Sequence, residues 1–188
     1  MNEARYLFAI LCLIHSSAYA DKLDDSTYPP SPDLESTELI QAQNFLCEFK
    51  ICIDTPFAVK YKSGMKHVGY FQKNPPEIWI EKNLNTINKK LVFIHELSHV
   101  YRNSHNPYES RWLDEGLAKF WEYKFSNELW PVSYNARFKK NPILFLSDDE
   151  KHYGKDGDGY ISSFYLIIYL YDHFGGEALI QKLMTSQL

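Results

Sequence analysis

The spacing of apolar and polar residues changes character twice along this chain. In the stretches 57–61, 68–71 and Glu77–Glu81 the pattern is that of short strands, with a Lys62-Ser63-Gly64 turn between the first two. Ile78 and Ile80 fall on one face of the third, with Trp79 on the other. Pro75 and Pro76 stand directly before it and have no N–H to give to a ladder, so Glu77–Glu81 is expected at the edge of its sheet. From 86 to 102 the period becomes helical, with Ile87, Leu91, Ile94 and Tyr101 on one stripe. Val92, Phe93, Leu97 and Val100 cover much of the remaining circumference, which predicts a helix buried on most sides. A short helix is predicted at 35–45 and a break at 103–107. A second long helix at 111–125 has Ser110 as its cap, and a third at 160–174 ends in Gly175-Gly176. The stretch 139–159 is polar and expected to be loop-rich, and there is no internal repeat.

The first twenty residues have a different logic. Arg5 precedes an apolar run, Leu7 to Ile14, and Ala18-Tyr19-Ala20 offers small residues where a signal peptidase reads. The run is too short to cross roughly 30 Å of hydrocarbon. Residues 1–20 are therefore expected to be a signal peptide, 21–33 a flexible segment rich in proline, and 34–188 one folded domain, exported to the periplasm or secreted, with no membrane span after cleavage. Cleavage would leave Cys47 and Cys52 as an even pair, which in an oxidising compartment either bond or flank the helix end as thiols. A formal charge of −4 provides no basic surplus for phosphates, so nucleic acid is not an expected partner.

The chemistry concentrates on the two long helices. His95-Glu96-Leu97-Ser98-His99 is an H-E-x-x-H motif, which on a helix sets both imidazoles about 40° apart on one face, within reach of one Zn²⁺. Glu96 lies at the flank, where a carboxylate can hold a water and take its proton. Zinc needs a third protein ligand, and two residues compete for the role. Glu115 follows sixteen positions after His99 on the next helix, where Gly116 would permit the close approach of the two helices. His105 instead matches the metzincin spacing, although Arg102 stands where that pattern needs a glycine and no methionine turn follows.

The chain resembles the gluzincin metallopeptidases, in particular small peptidase-MA-like domains. The resemblance rests on His95, Glu96 and His99 together with the W-L-x-E-G-x-A helix, Trp112, Leu113, Glu115, Gly116 and Ala118, and extends loosely into the helix from Tyr160. It implies an α+β, zincin-like fold: a small mixed sheet with an edge strand over a buried H-E-x-x-H helix, and a second helix carrying Glu115 as third zinc ligand. It also implies zinc-dependent peptide hydrolysis by a zinc-activated water, with Glu96 as general base and a peptide or protein as substrate. Tyr160 occupies the place of a site-facing tyrosine that stabilises the oxyanion, with Tyr165 as the alternative.

Other residues complete the expectation. Asp114, about 100° round the helix from Glu115, suits a role behind a ligand or as a cap, and Glu122, two turns beyond Glu115, either orients a ligand in the same way or, as is expected first, is a solvated charge. Asp156-Gly157-Asp158-Gly159 has no glutamate at the twelfth position of a calcium loop and reads as a turn. The Gly-x-Met-x-Asn segment of the best-known gluzincin aminopeptidases is replaced by Gly64-Met65-Lys66-His67, so cleavage of an internal bond is expected, with substrate extended along Glu77–Glu81. The contrasting class is a non-catalytic zinc-containing module that recognises a partner without cutting it.

Overall fold

The computed structural model describes residues 31–105, 110–126 and 158–185. The expected signal peptide, residues 21–30 of the expected flexible segment, and the expected loop up to 157 lie outside the described residues. Those described form an α+β arrangement: α1 (Ser36–Glu48), β1 (Ala58–Lys62), β2 (Gly69–Gln72), β3 (Glu77–Glu81), α2 (Thr86–His105), α3 (Arg111–Ser126), α4 (Asp158–Phe174) and α5 (Gly176–Thr185). Among them no helix is long and apolar enough to cross a membrane.

The sheet is mixed, in the order β1-β3-β2, with β1 parallel and β2 antiparallel to β3. The expectation that Glu77–Glu81 is an edge strand is therefore wrong, since it is the central one. Pro75 and Pro76 sit in the turn before the strand, where neither has to donate, and Pro76 contributes its carbonyl to the Ala58 N–H at 3.1 Å. Ile78 and Ile80 point inward and are fully buried, while Trp79 lies on the outer face in one cross-strand row with Lys60 and Tyr70.

The inner face packs on α2, whose Phe93, Ile94, Leu97 and Val100 lie in the main core. Full burial of such side chains contributes about 1.5–3 kcal/mol each. Asn85 starts the helix, its side-chain oxygen accepting the Asn88 N–H and its carbonyl the Lys89 N–H, both at 2.9 Å. The helix runs three residues past the expected end at Arg102. Ser104 donates to the Tyr101 carbonyl at 2.7 Å and the His105 ring contacts the same oxygen, which satisfies the last turn.

Two further departures concern contacts that no local pattern reveals. Gly116 faces α4 and not the H-E-x-x-H helix, because a Cβ there would stand 2.9 Å from the Ser163 backbone. The glycine thus permits the approach of α3 and α4, contrary to expectation. The fold also begins before Leu34, since the fully buried Lys89 donates to the carbonyls of Ser31 at 2.6 Å and Pro32 at 3.0 Å.

Beyond Gly175-Gly176, where both residues take positive φ, the chain turns into α5, which the sequence reading did not anticipate. Its Ile180, Leu183 and Met184 are buried, and the Trp121 indole donates to the Met184 sulfur at 3.5 Å. Cys47 and Cys52 are joined by a disulfide at the end of α1. Closing so short a loop contributes about 2 kcal/mol in the chain-entropy model.

Candidate metal centre

The centre lies between α2 and α3. One helical turn of α2 puts the His95 and His99 rings 4.8 Å apart, centroid to centroid, and the first turns of α3 bring Glu115 against both. Glu115 Oε2 stands 3.2 Å from His95 Nε2 and 3.7 Å from His99 Nε2, and the three donor groups lie within 4.8 Å of one another. A tetrahedral zinc with bonds of about 2.0–2.2 Å holds its donors roughly 3.4 Å apart. The three groups therefore fit such an ion, and two imidazoles with one carboxylate leave its fourth position open.

Behind each imidazole stands a carboxylate, and behind each carboxylate a cation. His95 Nδ1 donates to Glu122 Oε1 at 2.5 Å, and Lys119 donates to both Glu122 oxygens at 2.7 and 2.9 Å. His99 Nδ1 is 2.8 Å from Asp114 Oδ2, and Arg102 Nε is 3.0 Å from Asp114 Oδ1. Neither approach meets hydrogen-bond geometry, so this second set is held as ion pairs. Occupying the Nδ1 atoms leaves both Nε2 atoms for a metal and fixes the ring orientations. Asp114 thus stands behind the His99 ring. Glu122 does not remain solvated: it is 3% exposed, which corrects that expectation.

The electrostatics follow from crowding. Burial opposes charge on His95, but the bonds to Glu115 and Glu122 outweigh it and push its pKa up to about 9. The same competition, with Asp114 and Glu115 prevailing, raises His99 well above its usual value. Glu115 moves the opposite way: burial would raise it, yet both histidines hold it well below the carboxylate range. Three carboxylates facing two imidazoles thus favour positive charge at this point.

Glu96 lies apart from these pairings. It is 5% exposed, and burial raises its pKa in spite of the neighbouring histidines. Its carboxylate rests against β2 at Gly69, where a Cβ would come within 2.9 Å of Oε1 and 2.3 Å of Val92 Cγ1. Tyr160, at the start of α4, hydrogen-bonds with Arg111, and its pKa is raised by burial and then by the charge of Glu115. Arg111 Nε in turn stands 3.9 Å from Glu115 Oε1.

The described residues bring together His95, His99, Glu115, Glu96 and Tyr160. They do not bring His105, which stacks on Tyr101 with centroids 4.1 Å apart at the far end of α2. Tyr165 packs beside Phe164 against the core. Sequence reading missed Arg102, Lys119 and Gly69. Lys119 had a usable signal in its i, i+3 spacing to Glu122, whereas the other two had none. Comparison of the chain with protein-family models, curated proteins and solved structures found no match.

Proposed function

We propose that the protein is an exported zinc-dependent peptidase of gluzincin type with a zincin-like fold, cleaving internal bonds of peptides or proteins. The observation that carries this reading is the convergence of His95 Nε2, His99 Nε2 and Glu115 Oε2 on one point, with the buried carboxyl of Glu96 on the same helix as the histidines. Zinc, when bound, supplies the Lewis acidity that makes water a nucleophile at neutral pH and polarises a carbonyl. Glu96 accepts the proton of the attacking water and returns it to the leaving amine, a task suited to a carboxylate whose pKa burial has raised. Tyr160 donates to the oxyanion that forms as the carbonyl is attacked.

Substrate lies along β2, the edge strand that touches Glu96, and not along the central β3. The Met65 N–H donates to Glu81 at 2.7 Å, so that carboxylate is engaged by the 64–67 segment and does not offer an anchor for a substrate's free amine. Export is supported by the apolar leader and is compatible with the Cys47–Cys52 disulfide.

Metal analysis with matched variants tests the reading. One zinc per chain is expected, lost in Glu115→Ala and retained in His105→Ala. Glu96→Gln should retain zinc while hydrolysis of an unfolded protein substrate falls by several orders of magnitude. Retained turnover in Glu96→Gln would favour the zinc-containing binding module, and zinc loss in His105→Ala would favour the metzincin arrangement.

A further inference from the structure

From the buried path that leads away from His99, we infer that Arg102 is a positioning residue for the metal centre, coupling the docking of α5 to the orientation of a zinc ligand. The inference rests on the zinc reading above. Arg102 belongs to α2 and is 2% exposed, so its guanidinium is held in the interior. One end, Nη1, donates to the Leu183 carbonyl of α5 at 3.0 Å. The other, Nε, stands 3.0 Å from Asp114 Oδ1 on α3, and the second oxygen of that carboxylate stands 2.8 Å from His99 Nδ1. Three helices therefore meet on one planar group.

Burial without partners would make such a cation very costly, so the position of the guanidinium is set by where its partners are. Its planar group donates to the Leu183 carbonyl and stands in ion-pair contact with Asp114 at once, which the single ammonium of a lysine cannot do in the same geometry. On the His95 side the carboxylate behind the ring, Glu122, is braced by Lys119 from the same helix. His99 is tied through Asp114 and Arg102 to Leu183, 81 residues beyond Arg102 in the chain. Removing a group that orients a metal ligand from behind commonly weakens metal binding about 10- to 100-fold.

Zinc dissociation constants, measured on the full chain by competition with a chromophoric chelator, test the inference. Arg102→Lys and Arg102→Met are each expected to weaken zinc about 10-fold or more, Met the more strongly. Asp114→Asn should do the same, and adding Arg102→Lys to it should cost little more, because Arg102 acts through Asp114. Circular dichroism and thermal unfolding of the metal-free variants separate this from a structural effect. If metal-free stability falls while the zinc constant stays at the wild-type value, the inference is overturned. It is likewise overturned if the Arg102 and Asp114 losses multiply. Should Arg102→Met fail to fold, Arg102→Lys and the pair with Asp114→Asn still decide. A wild-type chain that binds no zinc would overturn the peptidase reading together with the inference, whereas tight zinc in the wild type and in every Arg102 variant would overturn the inference alone.

Discussion

Two tyrosines five positions apart on α4 have different surroundings, and under the proposed mechanism that difference gives them different expected effects. The Tyr160 hydroxyl lies near Arg111 and within the field of Glu115, whereas the Tyr165 ring packs against Phe164 and the core. A hydrogen bond made to an oxyanion exists only in the transition state, so its loss lowers kcat and leaves KM little changed. Tyr160→Phe is expected to reduce kcat about 10²-fold or more, and Tyr165→Phe to leave kcat near wild type. Steady-state kinetics on both variants checks this, and the reverse pattern would remove Tyr160 from the mechanism. That His95, Glu96 and His99 share one helix, with the two imidazoles side by side, was legible at this scale because spacing on a helix is a local property. Arg102 and Lys89 were not, since their backbone partners lie 81 and 58 residues away in sequence. A lysine or arginine in an otherwise apolar stretch looks the same whether or not such a partner exists.

Between elements, the contact that matters most for the proposed chemistry is β2 against α2. Gly69 lets the strand backbone come down on Val92 and Glu96, and the space a methyl group would need is already filled. In Gly69→Ala either the strand lifts or the Glu96 carboxylate moves. Overpacking of this kind costs about 1–3 kcal/mol. A lower unfolding midpoint and a fall in kcat larger than any rise in KM are expected, readable from thermal melts and kinetics. Unchanged kcat would mean that Glu96 is not positioned by this strand.

Helices α2 and α3 could be placed from sequence because apolar stripes and chemistry coincide on them. Strand order could not be read in the same way. Prolines before a strand constrain only the residues they occupy, and whether Glu77–Glu81 is central depends on its pairing with Ala58–Lys62 and Gly69–Gln72. Gly116 illustrates the same limit: its need for a close neighbour was readable, but which helix supplies that neighbour was not.

For the molecule as a whole, the metal would act as a fourth kind of cross-connection beside core, sheet and disulfide. The donors come from α2 and α3, so an ion bound only by the folded state ties the two together. Saturation at 1,000 times the dissociation constant adds about 4.1 kcal/mol. In a chain of this size, that corresponds to a rise in melting temperature on the order of 8–16 °C. Thermal unfolding with zinc and with a chelator measures the difference, and coincident curves would exclude a tightly held ion.

Leu183, whose carbonyl holds the Arg102 guanidinium, lies 81 residues further along the chain. A ribosome adding roughly 5–20 residues per second needs about 4–16 s to cover that distance. Throughout that interval a nascent chain already contains both histidines and, soon after, Glu115, but His99 has no finished brace behind it. The order of synthesis therefore puts the bond between the Arg102 guanidinium and the Leu183 carbonyl among the last that the described residues can make.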